Sequence, residues 1–362
     1  MEFPHLDVDS TPQRQADPSG KIPRYNQILP RLKSWAYTRS PVILSLGLRF
    51  HYWLKNVKLR RELKNLRPHV LHALEISGNG IEAFLSGFNP YVLSAWGSDI
   101  RRIDDTQNFR SRVLKRSLLN ATRVTGSSQN LIEECSKHGV KEDRLFMVGM
   151  PGIKVANYQS AVRDDSLLKD LGVAADRPAI FSPRAMSSLY RIHIIVEAFD
   201  KIVSKMEACQ LILMRYNANP EYEQMIYQSV HDKGISDKVV IVDALPNAAM
   251  KNLYQAANVV VSIPETDGMP QTIFEAFASC RLVVASDLKT YDGILDHGVT
   301  GLRVSGTDSS HLSDTIIDVL NSPNKYQHII SEAESRVKSH GDLEREMNKM
   351  CEMYHSIMLP QR

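Results

Sequence analysis

The chain has 362 residues, 43% of them apolar and 23% charged, with a formal net charge of +3. That length leaves room for two domains with their own cores, and the composition is that of a globular chain, not a disordered or membrane-embedded one. Residues 1–24 lack the apolar stretch of a secretory signal, and "PVILSLGL" falls far short of the ~20 residues a spanning helix requires. The cysteines (Cys135, Cys209, Cys280, Cys351) have no CxxC spacing, so a reducing cytoplasm is expected and a zinc or disulfide scaffold is not.

Residues 1–24 are polar and proline-bearing and read as a disordered tail. From about 25 to 67 the pattern is helical and basic. Residues 31–67 carry ten Lys and Arg against one acid, Glu62, with Trp35, Tyr37, Phe50, Tyr52 and Trp53 interleaved. Such a mixture suits an anionic membrane surface, on the inner face of the plasma membrane, and equally a solvated helix face with its aromatics in the core. Nucleic acid, which similar chemistry would suit, is set aside as a partner.

Next come strand 70–74, helix 79–88, a strand within 90–99, a basic helix "FRSRVLKRSLLNA", strand "RVTGSS", a helix ending at Gly139, and strand "RLFMVGMPG". A polar linker is read over 157–177. Then strands 179–184, 210–216, 239–245 and 258–264 each lead into a helix, over 192–207, 220–232, 247–256 and 271–279. Strands 282–287 and 301–306 follow. Short apolar runs alternating with amphipathic helices indicate βαβ units and parallel sheets covered on both faces. The expected organisation is a tail (1–24), a reduced N-terminal domain (25–156), a C-terminal domain (157–341) and a helix over 342–358 packing back on the first domain.

Five fragments in order carry a resemblance: "RPHVLHAL" with "SAWGSDI", "VTGSSQNLIEECSKHGV" with "MVGMPGI", "SPRAMSSLYRIHIIVEAF", "DGMPQTIFEAFAS" and "DHGVTGLRV". Together they resemble a retaining GT-B glycosyltransferase of the family 4 kind (glycosyl transferases group 1) over about three quarters of the chain. The resemblance implies two doubly wound, Rossmann-like α/β domains facing across a cleft. It also implies a nucleotide-sugar donor, a glycan or polyprenyl-phosphate-linked acceptor, cell-envelope polysaccharide assembly, and no cofactor.

The chemistry of the residues agrees with it. Glu275 can accept hydrogen bonds from a ribose diol. The loop Gly268, Met269, Pro270, Gln271, Thr272 ends at a helix start, where N–H groups and the dipole favour phosphate. Arg184, at a strand end, offers a planar fork to the diphosphate and to its growing charge on departure. By the family's pattern Asp267 faces the sugar ring, and Gly152 lies in the segment entering the cleft. Trp96, Gly97, Ser98 and Asp99 form a loop facing the acceptor. Each also has a plain reading: Glu275 a solvated helix acid, Asp267–Gly268 a turn, Arg184 a structural ion pair, Asp99 a helix cap.

No His, Asp or Cys cluster has metal-ligand spacing, so no metal is expected. Asp7-Val8-Asp9 mimics a metal-binding DxD but lies in the tail, with no strand before it. The sequence departs from the family at four points. Tyr190 stands where a lysine is usual, with Arg191 beside it as a substitute. Cys280 replaces a glycine, tolerated if the thiol is buried. Tyr216-Asn217 replaces a glycine turn. Residues 1–60 contain only Gly20 and Gly47, and no glycine-rich loop. Two alternatives stay open: a non-catalytic, truncated relative that binds a sugar nucleotide or a protein, and a sugar-nucleotide epimerase on the same fold.

Overall fold

The computed structural model describes residues 56–97, 99, 100, 103, 109–149, 152–268 and 271–358. The expected tail, the DxD-like triplet and residues 31–55 of the basic stretch lie outside the described residues. Residues 60–362 form one compact unit; residues 56–59, which precede it, are helical.

Its architecture is α/β, with two parallel sheets. The first comprises β1 (Leu71–Leu74), β2 (Tyr91–Ala95), β3 (Arg123–Gly126) and β4 (Leu145–Met147), in the order β1-β2-β3-β4. The second comprises β5 (Ala179–Ser182), β6 (Gln210–Arg215), β7 (Val239–Asp243), β8 (Val259–Ser262), β9 (Leu282–Ser286) and β10 (Leu302–Val304), in the order β10-β9-β8-β5-β6-β7. The strand order reverses between β5 and β8. Among the described residues that reversal, the mark of a doubly wound sheet, belongs to the second sheet; the first advances in one direction.

The second sheet is buried on both faces because its strands are apolar at successive positions. Phe181, Ile212, Val260 and Val283 enter one core and Ile180, Leu211, Val259 and Val284 the other. The stretch read as a linker holds the end of helix α1 (Val155–Gln159) and the whole of α2 (Asp165–Asp170). They are too short to show a period. α2 is held by its cap, the Asp164 carboxylate accepting from Ser166 N at 3.0 Å and Leu167 N at 3.1 Å. Helices α3 (Ile192–Val203), α4 (Pro220–Asp232), α5 (Asn247–Ala256) and α6 (Gln271–Ala278) alternate with the strands. α7 (Ser309–Asn321) and α8 (Gln327–His340) follow β10.

The last helix, α9 (Leu343–Met358), packs Met350 and Met353 against Val92 and Val148 of the first sheet's region. Two chain passages, around Ile153 and around Asp342, lie side by side in a parallel bridge. Ile153 N donates to Gly341 O at 2.9 Å and Leu343 N to Ile153 O at 2.8 Å. Gly149 N donates to the buried Glu346 carboxylate at 2.6 Å, and Lys349 pairs with its other oxygen at 2.6 Å.

Candidate functional site

In an open parallel sheet, the crevice beyond the strand carboxyl ends at the order reversal is the natural ligand site. Here it lies between β5 and β8. Arg184 follows β5 and Asp267 follows β8. Arg184 is 6% exposed. Its Nε donates to Ser262 Oγ at 2.7 Å, its Nη2 donates to the Asp267 carboxylate, and its guanidinium carbon lies 5.1 Å from the Tyr190 ring centre. Nη1 makes no hydrogen bond among the described residues. Burial works against the charge, but Asp267, then Tyr291 and Tyr190, hold the Arg184 pKa above the ordinary arginine value. The same Asp267 oxygen accepts from Tyr291 Oη at 2.8 Å, and the other from Gly268 N at 2.9 Å. Burial, then Asp267, pushes the Tyr291 pKa up, so it stays a donor.

Glu275 lies on α6. Tyr158 Oη donates to one carboxylate oxygen at 2.9 Å, and Tyr254 Oη donates to the other at 2.7 Å. Burial raises the Glu275 pKa above its usual range, against the two tyrosine hydrogen bonds and the Arg184 charge, which lower it. A carboxylate has about four lone-pair sites, so two acceptor positions remain. Around this crevice the buried hydroxyls of Ser182, Thr272 and Thr290 have no partner among the described residues. Polar atoms left orphaned beside a crevice fit a hydroxyl-rich or phosphorylated ligand.

Two cavities meet at Asp267 and Gly268. One, about 240 Å³, also takes Tyr190 and Thr290 from the second sheet's loops and Trp96, Gly97 and Ser128 from the first's. The other, about 480 Å³, runs along the first sheet's strand ends past Ser94, Trp96 and Thr125. Gly97 has φ 98°, which lets the chain turn back towards Gly268. Gln271 is exposed at the α6 start. Ser98, Met269 and Pro270 lie outside the described residues.

Three expected site residues do not join this cluster. Asp99 is 1% exposed. Its carboxylate accepts from Ile76 N at 2.8 Å, Trp96 N at 2.9 Å and Ile100 N at 2.9 Å, so it pins the loop and is spent on backbone. Gly152 is buried, and a Cβ there would meet the backbone of Leu343 at 2.9 Å; its place is beside Gly341–Leu343, not in the donor loop. Arg191 sits at φ 49°, and its Nη1 lies beside Gly306 and Ser286, away from both cavities. It is Tyr190, not Arg191, that lines the crevice.

Cys280 is exposed and has φ 56°, so the reasoning from a buried thiol fails; the position asks for the backbone freedom of glycine. Asn217 meets the same demand at φ 44°, which asparagine tolerates. Ser262, Tyr158, Tyr254 and Tyr291 were not foreseen. They come from four separate elements, and the available signal was that a buried tyrosine needs a partner for its hydroxyl.

Residues 164–336 match the family model described as Glycosyl transferases group 1, and residues 43–130 match Glycosyl transferase 4-like. An uncharacterized glycosyltransferase of Methanocaldococcus jannaschii is 24% identical over 258 residues, 68% of this chain and 64% of that protein. The putative teichuronic acid biosynthesis glycosyltransferase TuaC of Bacillus subtilis is 24% identical over 240 residues, 65% of this chain and 56% of that protein. The chain thus spans less than two thirds of the length of these curated relatives. Among solved structures, Anabaena HepE in complex with UDP has a TM-score of 0.69 at 18% identity, covering 83% of this chain and 82% of that one. A glycosyltransferase from Rickettsia africae has a TM-score of 0.71 at 15% identity, covering 89% and 83%. The fold is that of GT-B glycosyltransferases.

Proposed function

Because this chain belongs to the group 1 glycosyltransferases, we propose that it moves a sugar from a nucleoside diphosphate donor to a hydroxyl of a glycan or lipid-linked acceptor, with retention, in cell-envelope polysaccharide assembly. The observation that carries the reading is the pairing of Arg184 with Asp267 across the β5–β8 reversal, next to Glu275 with two acceptor positions left over. In this reading Nη1 of Arg184 takes a phosphate oxygen and stabilises the leaving group, which gains negative charge as the glycosidic bond breaks. Glu275 holds the ribose diol. Asp267, relieved of part of its pairing when the diphosphate engages Arg184, turns an oxygen to the sugar hydroxyls. In this reading the α6 start and Arg184 supply the positive charge, without a metal.

UDP heads the candidate donors, since structures of similar fold were solved with UDP and with UDP-glucose. Among the described residues no helix is long and apolar enough to cross a membrane. The basic stretch 31–67 is proposed to face anionic lipid, with a polyprenyl-phosphate-linked acceptor held there. The test is calorimetry with UDP, GDP and ADP, followed by transfer assays with the matching sugar conjugates. One nucleotide should bind wild type and lose affinity in Glu275→Gln; equal binding by both would remove the assignment. A binding protein without transfer is the second reading, favoured by Arg184 being already neutralised by Asp267 and stacked on Tyr190. Donor binding without turnover against any acceptor or water would select it.

A further inference from the structure

Beside the crevice, a row of polar side chains crosses the first sheet under the larger cavity. Tyr354 Oη, on α9, lies 2.5 Å from His72 Nδ1; His72 Nε2, on β1, lies 2.8 Å from Ser94 Oγ; Ser94 Oγ, on β2, lies 2.7 Å from Thr125 Oγ1, on β3. Ser94 pairs with Thr125 in the strand register, so the two hydroxyls sit side by side. Both line the cavity of about 480 Å³ whose far wall is Asp267 and Gly268. Above them Trp96 is 58% exposed, and Leu74 and Met350 complete an apolar rim.

Burial pushes the His72 pKa down to about 4, so the imidazole is neutral near pH 7 and has one N–H and one lone pair. A chain of hydroxyls through a neutral imidazole has two consistent directions. In one, Tyr354 donates to His72, His72 to Ser94 and Ser94 to Thr125, which leaves the Thr125 hydroxyl proton to point outward. In the other, every bond reverses and Thr125 presents lone pairs. The row therefore answers a group that both donates and accepts, as an alcohol does.

We infer that this recess takes an uncharged, hydroxyl-bearing ring of the acceptor, and that His72, which does not touch it, is the positioning residue that sets the polarity of the Ser94–Thr125 pair. This rests on reading the chain as a transferase. The Trp96 indole offers a flat apolar face to the ring's C–H side while the hydroxyls read its edge, the usual division of labour in a ligand pocket. A charged group would gain little here, since the rest of the lining named above is apolar or hydroxylic and the Asp267 carboxylate repels an anion.

The test is saturation-transfer NMR titration of the full chain with methyl glucoside, mannoside, galactoside and N-acetylglucosaminide. Methyl glucuronide and glucose 6-phosphate serve as charged counterparts, and UDP affinity is measured in the same samples. At least one neutral glycoside should bind, more tightly than the charged probes. Loss of a hydrogen bond in Thr125→Val, which keeps the side-chain volume, should weaken it about tenfold. Thr125→Ser should restore it. His72→Phe should weaken it similarly without contact, and His72→Gln, which keeps a polar atom beside Ser94, should recover most of the loss. UDP affinity should not move in any of these variants. Binding unchanged in Thr125→Val, or charged probes preferred, overturns the inference. So does UDP binding with no neutral glycoside bound, which leaves the donor reading standing. Glycoside binding without UDP binding supports the recess and sinks the donor site instead. If His72→Phe does not fold, the Thr125 pair decides.

Discussion

Replacing Glu275 by glutamine removes one negative charge and turns one acceptor oxygen into an N–H donor, so the hydroxyl of Tyr158 or Tyr254 facing it must turn round to accept. Two of the carboxylate's four acceptor sites are filled by Tyr158 and Tyr254, which leaves two for the ribose 2′- and 3′-hydroxyls. Hydrogen bonds to a charged acceptor contribute about 1.5–3 kcal/mol each, against about 0.5–1.5 for neutral ones, so two of them lose about 2–3 kcal/mol together. That is roughly a 30- to 150-fold rise in the Kd for UDP. Calorimetry at fixed ionic strength measures it, and 2′-deoxy-UDP supplies the cross-check. Wild type should lose affinity for the deoxy ligand and Glu275→Gln should lose much less, because the partner is already weakened. If protein change and ligand change act independently, Glu275 does not touch the ribose and its assignment falls.

Glu275 also sets a pH dependence. Its pKa is raised by burial above the unfolded value of 4.5, so its stabilising effect is complete below 4.5 and is lost as the pH rises through the folded value. The melting-temperature advantage of Glu275→Gln over wild type should grow across that window, and a flat difference would contradict it. Arg184→Lys should lower kcat about 10²- to 10³-fold and change the donor Kd far less, since its charge matters most as the leaving group departs; equal losses would argue for ground-state binding alone. Asp99→Asn turns an amide N–H towards one of three backbone donors and should cost about 1–3 kcal/mol in chemical denaturation, leaving UDP affinity intact. Cys280 caps α6 with Cys280 N on Phe277 O at 3.0 Å and Arg281 N on Ala276 O at 2.9 Å. Relieving its left-handed backbone in Cys280→Gly should add about 1 kcal/mol; a lower melting temperature would refute the strain.

The elements that were legible share one property: they report themselves locally. α4 and α5 were read with both ends in place because Pro220 opens one and a regular apolar stripe runs through each. The strands of the second sheet showed as apolar runs because both their faces are buried. Arg184, Asp267 and Glu275 were named with the help of the family's pattern; Arg184 and Asp267 follow the ends of β5 and β8, and Glu275 lies within α6. What failed was whatever depends on distant partners. Asp99 looks in sequence like a loop acid facing a cleft, and only the fold brings Ile76 N to it. Gly152 looks like a loop glycine, and only the passage at Gly341–Leu343 explains why no side chain fits. Tyr158, Tyr254 and Tyr291 converge from α1, α5 and the turn after β9, and no spacing in the chain encodes that meeting.

The placement of α9 has a consequence for how the molecule is made. Val92 and Val148 lie on the first sheet's side, yet the residues that cover them, Met350 and Met353, come after every strand of the second sheet. About 200 residues separate Val148 from Met350, so at 5–20 residues per second a ribosome needs roughly 10–40 s to supply the cover. For that interval the earlier-made sheet keeps an apolar face open, while the sheet made after it can close around its own helices. The half that emerges first is therefore the half that finishes last, and the nascent chain is most exposed to aggregation and chaperone capture through Val92, Phe146 and Val148.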